Sequence, residues 1–319
     1  MRTALSAIAL GVGLACACQL ASAQTVTVTQ QGYGNTSSTE QVGLTPPVPD
    51  VLIGVTATIT QVGDNNHVGG PGGTSNGIFQ RDNRFGGAVA VVEQYGSGNN
   101  AGITQDGTNG NRGAFAARIT QRGAWNDAMI SQNIAQMTPT TVEQNGVGNL
   151  ARVEQFGNGD TSVQATQNGT GNQLTVSQRG ATFFGPDLTQ NGDGNTASVV
   201  SEGMVGSHPT IVQTGTMNSA RTNQVDGWDS DITIRQLGSV NRAEASQTGD
   251  GHLATIDQNG SGNFSSVTQS GPAGILFSNN ALVAQLGNNN SARVRQDGQG
   301  YMANVNQTGS GNWSSIYQH

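Results

Sequence analysis

Hydrophobic positions along this chain are sparse, small and regular. Val, Ile or Leu stands two residues before a Gln, or once before the Ser201 that replaces it, in 20 of 24 short segments, among them Val28, Ile59, Val92, Ile119, Val142, Val153, Val176, Ile211, Ile234, Ile256, Val294 and Ile316. A period of two places these residues on one face of an extended strand. Between residues 149 and 155 the same-side set is Asn149, Ala151, Val153 and Gln155; between 126 and 132 it is Asn126, Ala128, Ile130 and Gln132. The residues between them, such as Arg152 with Glu154, Asp127 with Met129 and Arg242 with Glu244, belong on a face toward water. After each Gln comes a turn signal, such as Asn145-Gly146-Val147-Gly148 or Asn191-Gly192-Asp193-Gly194, whose glycines permit the positive backbone angles of a tight reversal. One unit therefore reads as strand, turn, strand, turn.

The unit recurs with little variation. Gln, any residue, Gly, any two residues, Asn occurs twelve times, beginning at Gln30, Gln61, Gln94, Gln121, Gln144, Gln167, Gln190, Gln213, Gln236, Gln258, Gln285 and Gln307. Its asparagines are Asn35, Asn66, Asn99, Asn126, Asn149, Asn172, Asn195, Asn218, Asn241, Asn263, Asn290 and Asn312. From Gln121 to Gln236 the step is 23 residues each time, and the later steps are 22, 27 and 22. A second Gln follows eleven residues after most of the first, as at Gln41, Gln105, Gln132, Gln155, Gln178, Gln224, Gln247, Gln269, Gln296 and Gln318; Ser201 replaces it once and an insertion displaces Gln80. No Asn follows five residues after the second Gln, where Gly110, Asp160, Gly206, Asp229, His252 or Tyr301 stands.

A fixed period in this range marks a stacked architecture in which each unit buries its face against its neighbours. The expected fold is all-β: a parallel β-solenoid of about 12 stacked strand-turn-strand coils, cross-β in character and amyloid-forming. Stacking in parallel register at about 4.8 Å sets like on like, so inward Gln and Asn amides form columns that bond along the stack. The twelve leading glutamines and twelve asparagines are accordingly assigned to a structural amide ladder. A ladder is what makes so polar a core tolerable, because an unpaired buried amide costs about 1–3 kcal/mol.

Composition sharpens this reading. Gly supplies 47 of 319 residues and charged residues only 10%, a polarity that without a period suggests disorder. Residues 1–23 read as a secretory signal, with Arg2, an apolar run from Ala4 to Ala15, and Ala21-Ser22-Ala23 before Gln24. Residues 24–319 form the repeat domain, and no later segment reaches the roughly 20 apolar residues of a membrane helix. Both cysteines, Cys16 and Cys18, lie within the signal, so no disulfide holds the exported chain. The net charge of -7, about -8 without Arg2, speaks against nucleic acid as a partner.

The first and last coils read as uncapped, Thr25-Val26-Thr27-Val28-Thr29-Gln30 at one end and Ser314-Ser315-Ile316-Tyr317-Gln318-His319 at the other. Open ends imply head-to-tail polymerisation into a cross-β fibre.

The pattern Ser/Thr-x-Val/Ile-x-Gln-x-Gly-x-x-Asn-x-Ala-x-x-x-Gln closely resembles the curlin repeat of bacterial curli subunits. Asn149-Leu150-Ala151-Arg152-Val153-Glu154-Gln155, and Asn195-Thr196-Ala197 with Val199, match it residue by residue, and the resemblance spans the chain after its signal. It implies a secreted functional amyloid on the bacterial cell surface, serving biofilm matrix, cell adhesion and surface attachment. The partners it implies are the chain itself, a nucleator subunit and a dedicated outer-membrane secretion pore. Departures are a larger repeat number, insertions at residues 44–54, 67–79, 134–141 and 272–280, and the lack of a Gly-rich leader. Pro46, Pro47, Pro49, Pro71 and Pro139 all fall in insertions, where no ladder bond is lost. Asp106, Asp193, Asp226, Asp250 and Asp297 in the turns point to a major subunit slowed by gatekeeping charges; the alternative is the minor nucleator.

Two other classes compete. For an enzyme, His67, His208, His252 and His319 share no repeat phase and read as surface residues, and Asp229 with Asp231 has no Cys or His beside it; no catalytic, cofactor or metal site is expected. For a monomeric adhesin or ice-binding solenoid, the array Thr25, Thr27, Thr29 is not sustained in later repeats, and Tyr95, Trp125, Trp228 and Trp313 are scattered turn or outward aromatics.

Overall fold

A computed structural model describes residues 24–42, 54–69, 77–81, 87–107, 115–133, 138–157, 159–271 and 278–319. The signal assigned to residues 1–23 lies outside these, as do Pro46, Pro47, Pro49 and Pro71 and nearly all of the insertion assigned to 44–54. The described chain is a parallel β-solenoid with 26 strands and no helix. Alternate arms of the coils build two sheets. The first contains twelve strands, one per coil, ordered as in the sequence from Gln24–Gln31 to Met302–Ser310; the second contains fourteen.

Register is set by like residues. Strand β11 (Thr138–Val147) pairs with β13 (Val163–Thr170) through Val142 to Ala165, Gln144 to Gln167 and Gly146 to Gly169. In the second sheet β10 (Asp127–Asn133) pairs with β12 (Leu150–Phe156) through Ala128 to Ala151, Ile130 to Val153 and Gln132 to Gln155. A slip of one residue would turn every aliphatic side chain outward, so the alternation itself fixes the pairing. Buried and half-exposed residues alternate strictly in Val55–Val62. The core lies between the sheets as columns of small residues, for example Ile119, Val142, Ala165, Leu188, Ile211 and Ile234 in the first sheet and Ala128, Ala151, Leu174, Ala197 and Ala220 in the second.

Insertions leave the register intact. In the first two coils the second arm is split into Thr36–Ser37 with Thr39–Val42 and His67–Val68 with Ile78–Arg81. On the far side of the insertion assigned to 67–79, Gln80 stands between Gln41 and Gln105. The stretch expected to be an insertion at 134–141 is partly strand, because β11 starts at Thr138. Pro139 therefore sits in a strand, contrary to the expectation that it would avoid one. It is exposed and has a strand partner, Ala116, on one side only, since pairing toward the following coil starts at Thr140, so an edge-like position absorbs the missing N–H.

Candidate functional site: amide columns and the ends of the stack

The Gln-x-Gly-x-x-Asn motif resolves into two hydrogen-bonded columns beside one turn. Each leading Gln points inward from a strand of the first sheet and donates from Nε2 to Oε1 of the next: Gln121 to Gln144, Gln144 to Gln167, Gln167 to Gln190 and Gln190 to Gln213, all at 2.8 Å. The second Nε2 hydrogen goes to a main-chain carbonyl of the second arm, as from Gln144 to Asp127 at 3.1 Å and from Gln167 to Leu150 at 3.1 Å. Donors and acceptor of a mid-stack amide are thus all engaged, which the burial of these side chains demands.

The asparagines run the opposite way. Asn149 donates from its main-chain N–H at 3.1 Å and from Nδ2 at 3.0 Å to Oδ1 of Asn126, one coil back, and from Nδ2 to the Gly169 carbonyl, one coil on, at 2.9 Å. That carbonyl explains the Gly of the motif. Gly146 holds φ at +132°, and a Cβ built there would run into the Gly169 carbonyl oxygen. Gln, Gly and Asn are one device: the Gly brings turns close, its carbonyl takes an Asn hydrogen, and the Gln closes the column beside it.

Of the residues assigned to the ladder, Gln61, Gln94, Gln121, Gln144, Gln167, Gln190, Gln213, Gln236, Gln258, Gln285 and Gln307 are buried, as are all the asparagines from Asn66 to Asn290. Gln30, Asn35 and Asn312, in the end coils, are half-buried. The second-arm glutamines form a third column, from Gln41 through Gln80 to Gln105 at 2.9 Å per step and from Gln247 through Gln269 to Gln296 and Gln318 at 3.0, 2.9 and 2.8 Å. Ser201 interrupts this column. Its Oγ, the Thr222 Oγ1 and the Gln224 Oε1 are buried without a hydrogen-bond partner among the described residues.

A fourth column escaped sequence reasoning. Counting back six residues from a leading Gln reaches Ser207, Ser230, His252, Asn279 and Tyr301. Each main-chain N–H here bonds to the side chain one coil back: Ser230 to Ser207 Oγ at 3.1 Å, His252 to Ser230 Oγ at 3.1 Å, Asn279 to His252 Nδ1 at 3.3 Å and Tyr301 to Asn279 Oδ1 at 3.0 Å. Hydroxyl, imidazole and amide do one job, so no single residue type is kept along the column. His252 is therefore a core residue, only 2% exposed, and not the surface histidine expected. Because Nδ1 accepts, Nε2 carries the proton and donates to the Thr248 carbonyl at 3.1 Å. Burial holds the imidazole below its ordinary value of 6.5, only partly offset by the Thr248 carbonyl and the Asp250 charge.

The turn carboxylates also bridge coils. Asp193 Oδ1 accepts the Thr170 N–H and Asp250 Oδ1 accepts the Trp228 N–H, both at 2.9 Å. Trp125, Trp228 and Trp313 are exposed, while Tyr95 is half-buried under the Arg122 guanidinium. Among the described residues, no three His, Cys, Asp or Glu side chains gather as a metal site would require.

The two ends are chemically complementary. At the Gln30 end, Val26 and Val28 occupy core columns yet are 48% and 43% exposed, and among the described residues no donor reaches Oε1 of Gln30 or Gln41. At the Gln307 end, Gln307 Nε2 bonds to the Ser291 carbonyl and Ser314 Oγ but to no further Gln, whereas Gln258 makes the equivalent two bonds and a third to Gln285. Asn312 donates backward to Asn290, and its Oδ1 faces onward.

The family model described as Curlin associated repeat matches residues 241–271 and 277–298, from the Asn of the ninth coil to the second turn of the eleventh. No curated protein matches the chain. The matched stretch carries curlin-associated repeats, and it shares its register, amide columns and glycine turn with the coils on either side of it.

Proposed function

We propose that the protein is an exported structural subunit that stacks end to end into an extracellular cross-β fibre of the bacterial cell surface, serving biofilm matrix, adhesion and surface attachment. The curlin repeat and the solenoid fit a curli-like structural subunit. The observation that carries the step to a fibre is the sense of the amide columns. Donors of Gln307 and Gln318 face outward at one end, and acceptors of Gln30 and Gln41 at the other; Asn312 Oδ1 at the first end matches the Asn35 main-chain N–H at the second. Joining unlike ends continues every column, while joining like ends sets acceptor against acceptor or donor against donor. Export through a dedicated pore and nucleation by a minor subunit belong to this reading as the partners it requires.

Freshly desalted protein should polymerise after a lag that sonicated fibre fragments abolish, with fibres giving the cross-β spacings of about 4.8 and about 10 Å. A sample that stays at constant particle size with and without fragments refutes the reading and favours a monomeric solenoid.

A further inference from the structure

The outward face of the second sheet changes character over its last five coils. Strands β18 (Ser219–Trp228), β20 (Arg242–Thr248), β22 (Phe264–Ser270), β24 (Ser291–Asp297) and β26 (Trp313–Gln318) lie side by side in register. Arg221, Arg242, Arg293 and Arg295 are exposed on this face, in a chain whose net charge is -7. Phe264 lies between two of them: the Arg242 and Arg293 guanidinium carbons are 5.9 and 5.7 Å from its ring centre. Arg295 stands 5.4 Å over the exposed ring of Tyr317. The rings fix the guanidiniums in place in spite of their mutual repulsion.

Glu244 and Asp297 stand beside these arginines and are already committed, while Asp226, farther along β18, is also exposed. Glu244 pairs with Arg242, and Asp297 pairs with Arg295 at 2.8 Å while accepting the Ser270 hydroxyl at 2.7 Å. The Ser270 bond first, and Arg295 second, hold the Asp297 carboxyl below its usual range. Among the described residues Arg221 and Arg293 have no carboxylate within ion-pair distance. They stand in one row, since Arg221 is opposite Glu244, Glu244 opposite Ser266 and Ser266 opposite Arg293. Three coil steps separate them, about 14 Å. Exposed Trp313 and Tyr317 continue the face on the last coil.

We propose that this face binds an acidic polysaccharide, laid along the stacking axis with its carboxylates on Arg221 and Arg293 and a sugar ring against Trp313, the Tyr317 ring being already stacked on His319 and covered by Arg295. Guanidinium and carboxylate match as planar bidentate partners, and the apolar face of a pyranose packs flat on an aromatic ring. Charge density selects the polymer class. Two unpaired cations over about 14 Å suit a sparsely charged chain, whereas duplex DNA brings one charge per about 1.7 Å and would leave most of them facing an acidic protein. The acidic remainder of the chain does not prevent docking, because charges beyond about 8 Å are largely screened at physiological ionic strength. The site stands on one subunit and does not require fibre formation.

Retention of freshly desalted full-length protein on immobilised polygalacturonate tests this, with dextran as the neutral polymer and duplex DNA as the alternative polyanion. The chain should bind polygalacturonate, lose hold as salt rises, and ignore dextran. The R221Q/R293Q variant should bind about tenfold or more weakly, with R118Q on the other sheet unchanged. The substituted side chains are exposed, so circular dichroism should show the same fold. W313A should weaken binding without changing its salt dependence. Equal retention of R221Q/R293Q and the parent, or equal retention on dextran, would overturn the assignment, as would tighter binding to DNA.

Discussion

At the scale of a single residue, the buried amide is the sensitive element. Gln167 takes a hydrogen bond from Gln144 and gives two, to Gln190 and the Leu150 carbonyl. Leu fills similar space but leaves a donor below and an acceptor above without partners, each inside the core. Replacing Gln167 with Leu should therefore destabilise the fold by about 2–4 kcal/mol, although it makes the core more hydrophobic. A denaturant midpoint equal to or above that of the parent would show that the column contributes little. Nature has made the reverse test at Ser201, whose short side chain leaves Gln224 Oε1 without a partner. Ser201→Gln should restore that bond and raise stability by about 1 kcal/mol, read as a higher midpoint with an unchanged slope.

At the scale of the element, what could be read from the sequence divides between the two turns. The first turn keeps Gln, Gly and Asn in all twelve copies, because each has a distinct geometric duty that no other side chain fulfils: the close turn, the carbonyl-capping amide, the column. Its strands and register were legible for that reason. The second turn was opaque. Its only shared requirement is a side-chain acceptor for the next coil's N–H, a task Ser207, Ser230, His252 and Asn279 perform with different chemistry and at five, six or ten residues from the preceding second-arm Gln or, for Ser207, from the Ser201 that replaces it. Pro139 was misplaced because whether a strand has neighbours on one side or both depends on the coil beyond it, which local sequence does not encode. The same turn contains a pH-sensitive joint. His252 must be neutral, since a proton on Nδ1 would confront the Asn279 N–H it now accepts. Its folded pKa lies below its unfolded value near 6.5, so the unfolded chain binds the proton first as pH falls. The joint is at full strength above about pH 6.5 and weakens below it. His252→Asn keeps an acceptor for Asn279 without a titrating ring. The fall in thermal midpoint between pH 7 and pH 5 should be smaller in this variant than in the parent, and an identical fall in both would remove His252 as the cause.

At the scale of the whole molecule, the columns make an unbranched stack with a direction. Backbone bonds within a parallel sheet are nearly equivalent from coil to coil, so the distinction between the two ends is carried by side-chain amides: Oε1 of Gln30 and Gln41 at one, Nε2 of Gln307 and Gln318 at the other. An end residue differs from a mid-stack residue in a way that separates folding from assembly. Substituting both Gln307 and Gln318 with Leu removes one intramolecular step from each column, Gln285 to Gln307 at 2.8 Å and Gln296 to Gln318 at 2.8 Å, in the last described coil. The folded subunit should survive, with losses of about 1–2 kcal/mol confined to the last coil. Elongation should suffer more, because every addition buries two acceptors, Gln30 and Gln41 Oε1, against apolar side chains that offer no hydrogen. The expected outcome is a subunit of near-parent stability whose seeded growth rate falls about tenfold or more, and whose fragments grow from one end only when supplied with parent protein. Equal seeded growth by the double variant and the parent would mean that main-chain pairing alone drives the joint, and the polarity of the amide columns would then have no part in assembly.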